Sequence, residues 1–127
     1  MQDSHLFEYA IIRVVPRVER DEFMNVGVIL YCAKQKFLQA EILLNKEKLS
    51  AFSKNTDIKE IEDNLLALKQ ICAGGKESGP IGQLDAASRF RWLTAMRSTV
   101  LQTSRVHPGF CKDASEKIKV LLEEQVL

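Results

Sequence analysis

The sequence predicts an α+β domain, an antiparallel sheet of about four strands with helices packed mainly on one face. Three observations predict it. The run Phe7–Val15 is rich in β-branched and aromatic residues and stops at Pro16. Two further apolar runs, Val26–Cys32 and Phe37–Leu44, flank the four polar-leaning residues Ala33–Lys36. Finally, Ile58, Ile61, Leu65, Leu68 and Cys72 recur at intervals of three and four, which puts one apolar stripe along a helix.

Taken in order, Phe7–Val15 is the first strand and residues 16–21 a charged loop. Val26–Cys32 is apolar almost throughout, as a strand buried on both sides must be. In Phe37–Leu44, Gln39 and Glu41 alternate with apolar neighbours, so this strand has one polar side. The two form a hairpin, and with the first strand an antiparallel meander. Asn45–Phe52 is a candidate short helix. For the striped helix, Asp57 with Glu60 supplies a capping box and Gly74-Gly75 the stop. Gly74–Gly82, with four glycines and Pro80, reads as a flexible connection; it lacks the spacing of a phosphate-binding loop. A short helix is expected from Asp85 to about Leu93, and a fourth strand over Thr99–Ser104. Pro108-Gly109 reads as a turn. Asp113 then caps a last helix, with Glu116 as its partner and Ile118, Leu121 and Leu122 inside.

A chain of 127 residues is expected to fold as a single domain over residues 1–127, large enough to bury one core. The net charge of +1 argues against a general polyanion binder, unless charge is segregated locally. It is segregated. The seven arginines fall at Arg13, Arg17 and Arg20 and at Arg89, Arg91, Arg97 and Arg105, while Lys34 to Lys76 holds only lysines, read as solvated surface. Cys32, Cys72 and Cys111 are odd in number and lack CxxC spacing, so buried free thiols are expected rather than disulfides or zinc. Cys111, beside the basic segment, is the one thiol with a case for a lowered pKa and nucleophilic use. The N-terminus lacks the basic start and apolar core of a signal peptide, and Val26–Ala33 is too short to span a bilayer. The expectation is a cytosolic, soluble protein with no membrane partner.

Chemistry concentrates between Asp85 and Asp113, an interval without a carboxylate. Arg89, Arg91 and Arg97, with the hydroxyls of Ser98 and Thr99, suit bidentate capture of phosphate or carboxylate. Phe90 and Trp92 alternate with the arginines and are expected in the core, leaving at least two of Arg89, Arg91 and Arg97 on a shared concave surface. Glu22 and His107 are the candidate general acid or base residues, and Asn25, three residues after Glu22, a hydrogen-bond donor at the sheet end. The competing structural reading pairs the arginines with Glu19, Asp21 or Glu22, has His107 cap a turn, and gives Asn25 and Gly27 to backbone satisfaction and a bulge. No metal-ligand set, cofactor motif or nucleophile–base pair is legible in the spacing.

Tyr9-Ala-Ile-Ile-Arg13 with Pro16, Glu22-Phe-Met-Asn-Val-Gly-Val28, and Arg89-Phe-Arg-Trp-Leu-Thr-Ala95 followed by Arg97-Ser-Thr99, Gln102, Val106-His107 and Gly109 resemble the bacterial domain-of-unknown-function family 3037. The resemblance runs over essentially the whole chain and implies a small cytosolic bacterial protein, encoded near a HipA-like kinase as a possible partner. Met96 and Arg105 stand where that pattern has proline, which ranks Arg105 below Arg97 as a site residue. The function expected is that of a small accessory or interaction protein whose Arg-rich cleft binds an anionic group of a partner protein, nucleotide or nucleic acid. The alternative is an enzyme acting on a phosphate-containing substrate, with Glu22 or His107 as acid or base and Arg89, Arg91 and Arg97 holding charge.

Overall fold

The computed structural model describes residues 4–15, 22–52, 57–95 and 100–127. Among these residues are five strands: β1 (His5–Val14), β2 (Met24–Cys32), β3 (Phe37–Ile42), β4 (Leu101–Thr103) and β5 (His107–Cys111). The helices are α1 (Lys46–Phe52), α2 (Ile58–Ala73), α3 (Gly79–Gly82), α4 (Ala86–Thr94) and α5 (Ala114–Gln125). The sheet runs β3-β2-β1-β4, all antiparallel, and β5 also pairs with β1. The expected meander is therefore present, with β3 at the sheet's edge and β1 inside it. The far edge of β1 is shared, β4 taking Ile12–Val14 and β5 taking His5–Tyr9.

Helices cover both faces, three of them on one. Ala10, Ile12 and Val14 pack with Leu49 of α1, the α2 stripe and Phe90 and Leu93 of α4. Phe7 and Ile11 point the other way, onto Ala114, Ile118 and Leu121 of α5. The striped helix behaves as its sequence requires: Ile61, Leu65, Leu68 and Cys72 are buried, and Asp57 accepts a hydrogen bond from the Glu60 N–H at 3.1 Å. The same device starts α4, where Asp85 accepts from Ser88 N–H at 2.7 Å, and α5, where Asp113 accepts from Ser115 N–H at 2.9 Å.

Strand β2 changes sides partway along. Val28, Leu30 and Cys32 face α5, while Ile29 faces α2, but Met24 and Val26 lie on the α2 side as well. The register explains it. Ile12 is opposite Gly27 and Arg13 opposite Asn25, so Val26 is a bulged extra residue that shifts the alternation by one. Gly27 is what the bulge needs, since a Cβ there would stand 2.7 Å from the Glu41 carbonyl oxygen.

One expectation is corrected. Pro108-Gly109 is not a turn but lies within β5, opposite Glu8 and Phe7. As an edge strand β5 tolerates a missing N–H, and Gly109 lets the Phe7 ring cross close by: a Cβ would come 2.7 Å from Phe7 Cζ. Gly74–Gly82 does connect α2 to α4, by way of two short elements. A 3-10 turn at Lys76–Ser78 runs into α3, with Gly74, Gly75 and Gly79 at positive φ and Pro80 in the first turn. Between β4 and β5 the chain carries one residue more than β1 does. Ser104 absorbs it: its N–H donates to Ile11 O and its hydroxyl accepts from Ile11 N–H, both at 2.8 Å.

Leu65→Ala and Leu121→Ala should each destabilise the fold by about 2–5 kcal/mol, because each leaves a cavity in one of the two cores. Lys34→Ala and Lys76→Ala, both exposed, should stay within about 0.5 kcal/mol. Gly27→Ala should cost about 1–3 kcal/mol by forcing β2 and β3 apart. Urea denaturation curves of the five variants check the ranking.

Candidate functional site

The basic segment is largely a helix, and helical geometry separates its members. Residues two apart on a helix point about 200° away from each other. Phe90, Leu93 and Thr94 form the buried side of α4, Phe90 at 0% exposure. Trp92 is therefore not core, as expected from its alternation with arginine, but 45% exposed. The helix expected from Asp85 to about Leu93 is present, and its period of 3.6 cannot bury both Phe90 and Trp92.

Arg89 turns back onto α2. Its Nη1 donates to the carbonyls of Ile71 (2.9 Å) and Cys72 (2.6 Å), and its Nε to Leu84 O at 2.9 Å. A guanidinium over the last carbonyls of a helix satisfies acceptors that have no partner within the helix and complements the negative end of its dipole. Gly74 makes room, because a Cβ there would lie 2.9 Å from Arg89 Nη1. Arg91 goes the opposite way and grips Glu8 of β1 with two bonds of 2.8 and 2.7 Å. Its partner among the described residues is Glu8, whose carboxylate raises the already high pKa of Arg91, while Glu19 and Asp21 lie outside the described residues. Half exposed, this pair contributes at most about 1 kcal/mol. Arg97, Ser98 and Thr99 lie outside the described residues. Arg105 is exposed, on the segment joining β4 to β5.

Glu22 and His107 do not converge. Glu22 sits ahead of β2, beyond the level of Val14, whereas His107 pairs with Tyr9. Five residues of β1 separate those levels, about 17 Å. His107 lies ring to ring with Tyr9, centroids 5.3 Å apart, on the α5 face, across the sheet from Arg89 and Arg91. Asn25 serves the backbone: its Nδ2 donates to Gln125 O at 2.8 Å and ties the end of α5 to β2. Its Oδ1 and Arg13 Nε, on paired residues, are buried with no hydrogen-bond partner among the described residues, and the Arg13 guanidinium lies 4.1 Å over the Phe23 ring.

The concave site that does contain Arg89 is elsewhere. The outer edge of β3, the C-terminal end of α2 and the start of α4 enclose a cleft of about 470 Å³. Lys36, Lys69 and Arg89 line it, with Glu41 as its one carboxylate and Leu38, Ala40 and Cys72 as its apolar floor. Lys46 and Lys59 pair with Glu62 and Asp63, but among the described residues none of the three cleft cations has a carboxylate partner. Arg89 was legible in the sequence. Lys36 and Lys69 were not, because only the packing of α2 against β3 brings them together.

The thiol in the floor is inert at neutral pH. Burial pushes Cys72 up to about 12, outweighing the nearby charges of Arg89 and Lys69. Cys111 is likewise raised, by burial and by Cys32 beside it, which corrects the case for a lowered pKa. Among the described residues no three His, Cys, Asp or Glu side chains gather as a metal site would require, and no helix is long and apolar enough to cross a membrane.

At pH 8 the thiolate fraction of Cys72 should be about a thousandfold below that of an ordinary thiol. Native protein treated with iodoacetamide should leave Cys72 unmodified, and urea should expose it to rapid alkylation, as read by peptide mass spectrometry.

Comparison with curated proteins and with solved structures finds no match. The model of one family, described as protein of unknown function DUF3037, matches residues 9–126. That span holds the β1–β2–β3 meander from Tyr9 onward, the Arg89 clamp and the cleft, and the chain belongs to the DUF3037 family.

Proposed function

We propose that the protein is an interaction module that receives an anionic group of its partner in the cleft between β3, α2 and α4. One observation carries this reading: Lys36, Lys69 and Arg89 line a single cleft with no carboxylate partner among the described residues. Neighbouring cations repel one another, and a phosphate or carboxylate between them relieves that repulsion while gaining charge-assisted hydrogen bonds. Arg89 is already fixed by its three bonds to backbone carbonyls, so little side-chain entropy is lost when a ligand arrives. The support is for binding rather than catalysis. Glu22 and His107 stand apart from the cleft, and its thiol is held protonated.

Titration with inorganic phosphate and with glutarate, followed by ¹⁵N NMR, tests the reading. Saturable shifts should gather at the amides of Lys36, Gln39, Lys69, Ala73 and Arg89. The Lys36→Ala/Lys69→Ala double variant should weaken binding by about 1.5–3 kcal/mol, the worth of a lost charge-assisted contact. Both lysines are exposed, so the variant should keep its fold. Shifts scattered over the surface, or unchanged in the double variant, would rule the cleft out.

A further inference from the structure

The geometry points to a more specific occupant: an extended peptide that adds as a strand to the free edge of β3, with an acidic residue in the cationic cleft and an apolar side chain beside it. This rests on the anion-binding reading above and deepens it.

Among the described residues β3 ends the sheet on its side, with β2 as its one partner. The bond from Leu43 N–H to Val26 O fixes the phase of the β2–β3 ladder. By the alternation of an antiparallel pair, the N–H and C=O groups of Leu38, Ala40 and Ile42 then point away from β2. No hydrogen bond among the described residues reaches them. Instead of open solvent alone they meet a groove, because α2 runs alongside. The cationic cleft occupies the Leu38–Ala40 end of that groove. A second depression of about 300 Å³ continues it past Lys69, which borders both; Ile42, Leu44, Leu65 and Leu66 make it mainly apolar, and its one carboxylate, Glu62, is paired with Lys46. Leu66 is 56% exposed on this wall. A strand edge on one side and a helix on the other is the arrangement in which added strands are held, the backbone giving affinity and alternate side chains giving selectivity.

Charge and order then define the peptide. The cleft carries three cations against Glu41, so it selects an acidic side chain or a terminal carboxylate. On the α2 face of β3, Leu38 and Ala40 border the cleft and Ile42 and Leu44 the apolar depression, so the two lie four residues apart along the strand, about 13 Å. Four is even, so one face of an added strand reaches both. Antiparallel addition, the commoner pairing, places the peptide's N-terminal part at Ile42 and its C-terminal part at Leu38. The predicted ligand has a large apolar residue followed four positions later by Glu, Asp or the chain terminus.

A phage-displayed random octapeptide library, selected on the wild-type protein, should yield that order and spacing. The selected peptide, synthesised, should lose affinity about tenfold or more when N-methylated at the residue facing Ala40, because the methyl group removes a donor to the β3 edge. Leu66→Asp should weaken binding about tenfold, and Lys36→Ala/Lys69→Ala should do so as well. Circular dichroism of the two variants should show the wild-type fold. Sensitivity to the lysines but not to N-methylation would overturn strand addition and leave the anion site standing. Insensitivity to the lysines would remove both. Failure of any peptide to enrich, or enrichment with the acid ahead of the apolar anchor, would overturn the inference. So would a sedimentation experiment showing a dimer of the protein alone that Leu66→Asp dissociates, since the edge would then belong to a second copy.

Discussion

A side chain at Gly27 would stand 2.7 Å from the Glu41 carbonyl oxygen, and its absence lets β2 slip one residue past β1 while staying bonded to β3. Both cores depend on that slip. Below it Met24 and Val26 fill the α2 side, and above it Ile29 takes over that side while Val28, Leu30 and Cys32 serve α5. A strand without the bulge would turn one of these sets into the wrong core, because a shift of one residue exchanges the faces. The position of β3, and with it the wall of the cationic cleft, follows from the same point.

The second organising contact is the Arg89 clamp. Three short bonds to backbone carbonyls fasten the end of α2 to the start of α4. A lysine has no planar fork and would not span Leu84, Ile71 and Cys72 together. The clamp holds a cation at the mouth of the cleft and holds the two helices that frame it. Arg91, two residues on, does unrelated work, steadying α4 against β1 through Glu8. The spacing that makes these residues conspicuous in the sequence is the spacing that sends them to different places.

Much of the fold was legible where one period dominated. The meander, the α2 stripe and the Asp57 and Asp113 caps follow from local pattern, because burial and capping act within a turn or a strand. Errors came where two periods competed. Phe90 and Trp92 alternate like strand residues inside a helix, and Pro108-Gly109 carries turn chemistry into an edge strand where Phe7 needs the space. The candidate site was legible only at Arg89. Lys36 and Lys69 are ordinary surface lysines until β3 and α2 pack, and no local pattern encodes a meeting between residues 33 positions apart. Arg97, Ser98 and Thr99 lie outside the described residues, and Glu22 and His107 proved distant from each other and from the cleft.

The divided edge of β1 has a consequence for how the chain assembles. One side of β1 is filled by β2, which follows it closely, and the other by β4 and β5, with Ile11 bonded to Ser104 across 93 positions. Loop-closure entropy favours the near partner, so the meander closes early and the distant edge late. During synthesis most of the chain must leave the ribosome before β1 gains its last neighbours. Until then its outer backbone groups are exposed, and the Ser104 hydroxyl, by accepting from Ile11 N–H, is among the bonds that end this interval.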